Sequence, residues 1–167
     1  MISPDYCVMM ARYAAWQNTS LVEAADGLSE EARTLDRGAF FGSIMRTFSH
    51  LLWGDTMWLS RLGGGDPASG GIPESTEHTV DWEVFKRERA RINQRALDWA
   101  NAQTQDDLAG DYSWFSPAAG RQIEVSKATC VVHMFNHGTH HRGQIHAMLT
   151  AAGGRPDDTD LPFMPTI

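Results

Sequence analysis

Apolar residues recur every three or four positions in four separate stretches of the chain, and the first and last of these open on a serine suited to cap a helix, Ser3 and Ser126. Ser3-Pro4-Asp5 supplies an N-cap, a proline for the first helical turn and an acid beside it; Tyr6, Met9, Met10, Tyr13, Trp16, Leu21 and Ala24 then keep helical spacing up to Gly27. A second helix is predicted from about Gly42-Ser43 to Leu62, with Ile44, Phe48, Leu51, Trp58 and Leu62 on its buried face and Gly63-Gly64-Gly65 ending it. The third runs from about Asp81 to Ala102 over Trp82, Phe85, Ala96, Leu97 and Ala100, and its charged middle, Lys86 to Arg95, reads as a solvated face. The fourth starts after Ser126 and stops at Gly153-Gly154.

The connections carry weaker patterns. Leu28 to Gly38 is polar and predicts a short turn; Gly63 to Glu77 reads as an exposed loop, which either borders a functional site or is a tolerated insertion. Tyr112-Ser113-Trp114-Phe115 and Gln122-Ile123-Glu124-Val125 flank Pro117-Ala118-Ala119-Gly120 as a short hairpin would. The tail from Arg155 to Pro165 is too rich in proline for a helix, and Leu161 and Phe163 are its expected anchors. Four amphipathic helices joined at their ends imply an all-α fold, an antiparallel four-helix bundle with a short hairpin before the last helix, in a single domain spanning 1–167.

Composition narrows the partners. A net charge of -7 argues against nucleic acid or an anionic membrane surface, both of which select basic patches. Cys7 and Cys130 are too few, and too embedded in apolar helical patterns, for a disulfide framework. No stretch approaches a membrane span and the N-terminal residues lack a signal peptide's basic start and apolar run, so the expectation is a cytoplasmic protein acting on a small molecule.

The fourth helix changes the picture. Five of the seven histidines fall between Val132 and His146. Residues four apart differ by only about 40° around a helix, so His133, His137 and His141 form one stripe with His140 and Gln144 beside it, while His146 points elsewhere. Two imidazoles four apart can close on one ion, and a third ligand from another helix would complete a facial set. Asn136 and Gln144 stand where they could orient the rings. His50 sits mid-helix in the second helix with the small Gly54 one turn on, and glycine there costs about 1 kcal/mol against alanine.

Together Phe48-Ser49-His50-Leu51-Leu52-Trp53-Gly54-Asp55-Thr56-Met57-Trp58-Leu59-Ser60-Arg61-Leu62 and His133-Met134-Phe135-Asn136-His137-Gly138-Thr139-His140-His141-Arg142-Gly143-Gln144-Ile145 resemble the DinB family of damage-inducible metalloenzymes. The likeness covers nearly the whole chain. It implies a four-helix bundle of the DinB/YfiT-like type, a mononuclear divalent metal, commonly zinc or nickel, and a homodimer. The family's metal triad of one histidine from the second helix and two, four apart, from the last matches His50, His137 and His141. His133 stays open as a fourth ligand, a hydrogen-bonding neighbour of the site or a packed residue; His140 is placed beside the site, and His78 and His146 outside it.

Three neutral imidazoles would leave a divalent ion its charge and an open position. Gly138 follows His137 where a zincin places its glutamate, so peptidase chemistry loses support. The resemblance implies instead an enzyme that activates a small thiol or water toward an electrophilic small molecule, with a low-molecular-weight thiol as co-substrate. The competing expectation is a non-catalytic stress-response or small-ligand-binding protein whose metal holds the helices together. Asp55, about 140° round from His50, is expected to pair with Arg142 or another basic residue. Arg142 is the alternative candidate for an anionic substrate group.

Overall fold

In a computed structural model that describes residues 1–166, five α-helices, a hairpin and two short 3-10 turns follow the order α1 (Pro4–Asp26), α2 (Glu30–Thr34), α3 (Ile44–Arg61), a 3-10 segment (Ile72–Glu77), α4 (Trp82–Ala102), β1 (Asp111–Ser116), β2 (Arg121–Ser126), α5 (Lys127–Ala151) and a last turn (Leu161–Phe163). Every α-helix is capped by a side chain. Ser3, Ser29, Ser43, Asp81 and Ser126 accept from the backbone N–H three residues on, which satisfies one otherwise orphaned donor each. At the end of α3, Gly63 takes φ 84°, a left-handed value that favours glycine, and Gly64 N–H returns to the Leu59 carbonyl at 2.7 Å.

The protein is mostly helical. Helix α1 packs on α4 and α5, and α3 packs on the same two, so the four long helices form a circuit of pairwise contacts. Phe48 from α3, Phe85 from α4 and Ile145 and Leu149 from α5 are sealed from solvent in the middle of it, with Cys7 and Ala11 of α1. Phe48 meets Phe85 at 5.0 Å between ring centres, and Trp82 stacks on Phe85 at 5.2 Å. Both cysteines are buried and unpaired. Among the described residues, no helix is long and apolar enough to cross a membrane.

The hairpin forms as expected. Strands β1 and β2 pair antiparallel with Trp114 opposite Ile123 and Tyr112 opposite Val125. Trp114 turns edge-on to Trp58 at 5.7 Å, and the Arg61 guanidinium lies 4.9 and 5.3 Å from the two ring centres, tying the hairpin to the end of α3.

Three expectations change. The polar turn after α1 contains a five-residue helix, α2, because Ser29 caps it and Glu30 and Glu31 favour its N-terminus. The charged middle of α4 is not wholly solvated: Arg89 is 3% exposed and donates to the Asp55 carboxylate at 2.6 Å. Asp55 therefore pairs with α4, while Arg142 donates to Gln17 of α1 at 2.9 Å. The tail is held by polar groups: Arg12 donates to the Pro165 carbonyl at 2.8 Å, Gln17 to Thr159 at 3.2 Å, and the Asp157 N–H to Ser20 at 2.7 Å. Phe163, expected as an apolar anchor, is 71% exposed, and Leu161-Pro162-Phe163 forms one 3-10 turn, which a proline near its start tolerates.

Candidate metal centre

Packing of α3 against α5 brings together the residues that the sequence separates. His50 of α3 and His137 and His141 of α5 face one another with their ligating nitrogens all within 4.8 Å, and this group could hold a metal ion. His137 Nε2 lies 3.3 Å from His50 Nε2 and 3.2 Å from His141 Nε2. Imidazole nitrogens bound at about 2.0–2.1 Å around a tetrahedral ion stand about 3.3–3.4 Å apart, so both measured edges fit.

Two of the three outer nitrogens are held by hydrogen bonds. His50 Nδ1 meets the Ser75 hydroxyl at 2.7 Å. His141 Nδ1 meets Gln144 Oε1 at 2.8 Å, and because a carbonyl oxygen only accepts, that ring carries its proton on Nδ1 and leaves Nε2 bare. His137 is positioned differently. Its Nδ1 is buried without a hydrogen-bond partner, and its ring fills the space left by the missing side chain of Gly54.

Burial is the first cause that keeps all three rings uncharged. It pushes the His50 pKa down to about 4, aided by His141, and that of His137 to about 3, aided by His141, His50, His133 and His140. His141 is lowered by burial against the opposing bond to Gln144. At neutral pH the group is a cluster of neutral donors, and a proton is a poor substitute for the cation that three such lone pairs suit.

The walls are aromatic. Phe41 lies over His50 at 4.2 Å between ring centres and reaches His141 at 5.4 Å, while Trp53 stacks on His50 at 6.0 Å. Phe41 escaped the sequence reading because it sits in the bend before α3, which is closed by the Ala39–Gly42 bridge and not by helical periodicity. An aromatic residue just before the helix that carries a candidate ligand was the available signal.

The remaining histidines separate. The exposed His133 ring turns edge-on to Trp58 at 4.8 Å and lies outside the three-histidine group. His140 is exposed and contacts His141 edge-on at 4.9 Å. Asn136 is exposed and His146 lies on the α1 side, in a cleft with Gln17 and Arg142. Arg142 is buried, which pushes its pKa down to about 10 despite the neighbouring Asp55 charge. A surface hollow of about 640 Å³ beside Gly64, Arg95 and Trp99 includes none of the three ligand candidates.

Fold and site together define a helical protein with a largely buried three-histidine group that could hold a metal ion. The family model described as the DinB family matches residues 1–167, and the chain belongs to that family. It is 26% identical over 160 residues to Protein DinB of Bacillus subtilis (strain 168), covering 93% of this chain and 91% of that protein. The fold is similar to a crystal structure of a DinB-like protein from Bacillus cereus ATCC 10987, with a TM-score of 0.63 and 17% identity over 85% of this chain and 89% of the other.

Proposed function

We infer that this chain is a metal-dependent enzyme that holds one divalent ion, zinc or nickel, on His50, His137 and His141 and directs a small thiol or water at an electrophilic small molecule. The observation that carries this reading is the convergence of three uncharged imidazoles, with His137 Nε2 at tetrahedral spacing from both His50 Nε2 and His141 Nε2 and, among the described residues, no fourth His, Cys, Asp or Glu in the group. A bound divalent ion supplies Lewis acidity, lowering the pKa of a thiol or water that takes its open position. The chain's own residues line the rings with Phe41 and Trp53 and, through Ser75 and Gln144, keep protons off the Nε2 atoms of His50 and His141.

A thiol suits the site better than water. Water attack gains from a positioned general base, and the group holds no carboxylate to act as one. A low-molecular-weight thiol needs only to lose its proton to become the stronger nucleophile. The wider reading is an antiparallel four-helix bundle in one domain, acting as a cytoplasmic homodimer, without nucleic acid or membrane as partner.

The competing reading is a non-catalytic stress-response or small-ligand-binding protein stabilised by its metal. Assaying thiol transfer and hydrolysis on electrophilic small molecules, before and after chelation and with metal restored, separates them. Activity that vanishes on chelation and returns with metal supports the enzyme; activity that persists in metal-free His141→Ala protein sinks the triad mechanism.

A further inference from the structure

The segment Ile72–Glu77, outside both histidine helices, places a hydroxyl against the site. Ser75 is fully buried, and its Oγ lies 2.7 Å from His50 Nδ1 and 2.7 Å from the carbonyl of Ile72. One hydroxyl has one proton. The Ile72 carbonyl can only accept, so satisfying that contact commits the Ser75 proton to Ile72 and leaves Oγ to accept at its other side. The group facing it must then be a donor: His50 carries its proton on Nδ1 and presents a bare Nε2 to His137. The opposite arrangement, with Ser75 donating to His50, would leave two oxygen acceptors facing at 2.7 Å without a proton between them.

We propose that Ser75 is a positioning residue for the metal centre, fixing the tautomer and ring plane of His50 so that Nε2 is the ligating atom. This rests on the reading of His50 as a ligand. A ligating histidine whose other ring nitrogen donates to a fixed acceptor has its orientation set and its basicity raised, and loss of such a partner typically weakens metal affinity by about 10–100-fold.

The acceptor is itself held in place. Ser49, the residue before His50, donates through Oγ to the Ser75 carbonyl at 3.1 Å and accepts from the Thr79 N–H at 3.0 Å. Arg46, one turn earlier, donates to the Thr76 hydroxyl at 3.1 Å. Ser49 is fully buried, and its hydroxyl both donates and accepts, which holds it in one geometry. Two residues of α3, Arg46 and Ser49, thus bind the segment from 75 to 79, and Ser75 in that segment accepts the bond from His50. The chain ends on a backbone carbonyl and has no exchangeable exit, so it orients the ring and does not relay a proton.

Long-range ¹H–¹⁵N NMR on the metal-free full chain, labelled at histidine nitrogens and at neutral pH, reads the tautomer directly. The wild-type spectrum is expected to show His50 protonated at Nδ1 and bare at Nε2, and a proton on Nε2 overturns the proposal with no variant needed. In Ser75→Ala, His50 is expected to populate both tautomers while zinc affinity, measured by competition with a chromophoric chelator, falls about 10–100-fold. Ser75→Thr, which keeps the hydroxyl, is expected to restore both. A Ser75→Ala protein with weakened zinc binding and an unchanged tautomer overturns the positioning role in favour of a packing role. If wild-type protein binds no zinc while the tautomer still responds to Ser75→Ala, the orientation stands and the metal-ligand reading of His50 fails.

Discussion

Gly54 and His137 occupy one space: a Cβ added to Gly54 would stand 2.6 Å from Cε1 and 3.2 Å from Nδ1 of the His137 ring. The glycine sits mid-helix, where alanine would be favoured by about 1 kcal/mol, so its placement trades helix propensity for room beside a candidate ligand. Gly54→Ala is expected to move the ring and lower zinc affinity at least about tenfold, the scale seen when a ligand's support is lost. A chelator competition titration checks this, and unchanged affinity would show that His137 does not depend on the gap.

The metal-free protein should lose stability on mild acidification in a way that reports the site. Unfolded histidines titrate near a pKa of about 6.5, whereas folded His50 and His137 titrate at about 4 and about 3. Between those values the unfolded chain binds more protons, so the stabilising contribution is present above about pH 6.5 and is lost as pH falls toward the folded values. Melting temperatures recorded from pH 7 to 4 should therefore fall more steeply for wild type than for His137→Gln, with the carboxylates common to both. Equal slopes would contradict the burial of neutral imidazole.

Asp55 and Arg89 make a different prediction. Their side chains are 15% and 4% exposed and meet at 2.6 Å, so Asp55→Ala would strand a buried guanidinium at a cost of about 3–5 kcal/mol. Replacing both with apolar residues of similar volume should recover most of that loss, because the pair itself is near break-even against an apolar pair. Chemical denaturation of the single and double variants checks it.

His133 should be dispensable for metal. Its ring packs on Trp58 outside the three-histidine group, so His133→Ala is expected to leave zinc stoichiometry and affinity unchanged within about threefold, far less than the loss of a ligand's support. A large loss would place it in the coordination sphere.

The long helices were legible because apolar periodicity agreed with their end signals: Ser3 and Ser126 cap as expected, and the helices expected to begin near Ser43 and Asp81 are capped by those residues. The histidine pair four apart on α5 was legible for the same reason, whereas His50 entered through family resemblance, since no periodicity links residues 87 positions apart. Ser75 and Phe41 were not legible. Both sit in segments without a repeating pattern, and their roles arise from tertiary contacts that fold those segments against His50. Arg89 was misread as solvated because its neighbours are charged, although its own position faces Asp55.

The central claim is that His50, His137 and His141 hold one divalent ion through their Nε2 atoms with a position left open. A metal-edge anomalous map of crystals of tag-free protein, purified without added metal, tests it most directly. The account predicts one peak bonded to those three nitrogens at about 2.0–2.1 Å, with a water or small thiol as the remaining ligand. A peak closed by a fourth protein side chain, or no peak in protein that also fails to take up zinc or nickel, would contradict it.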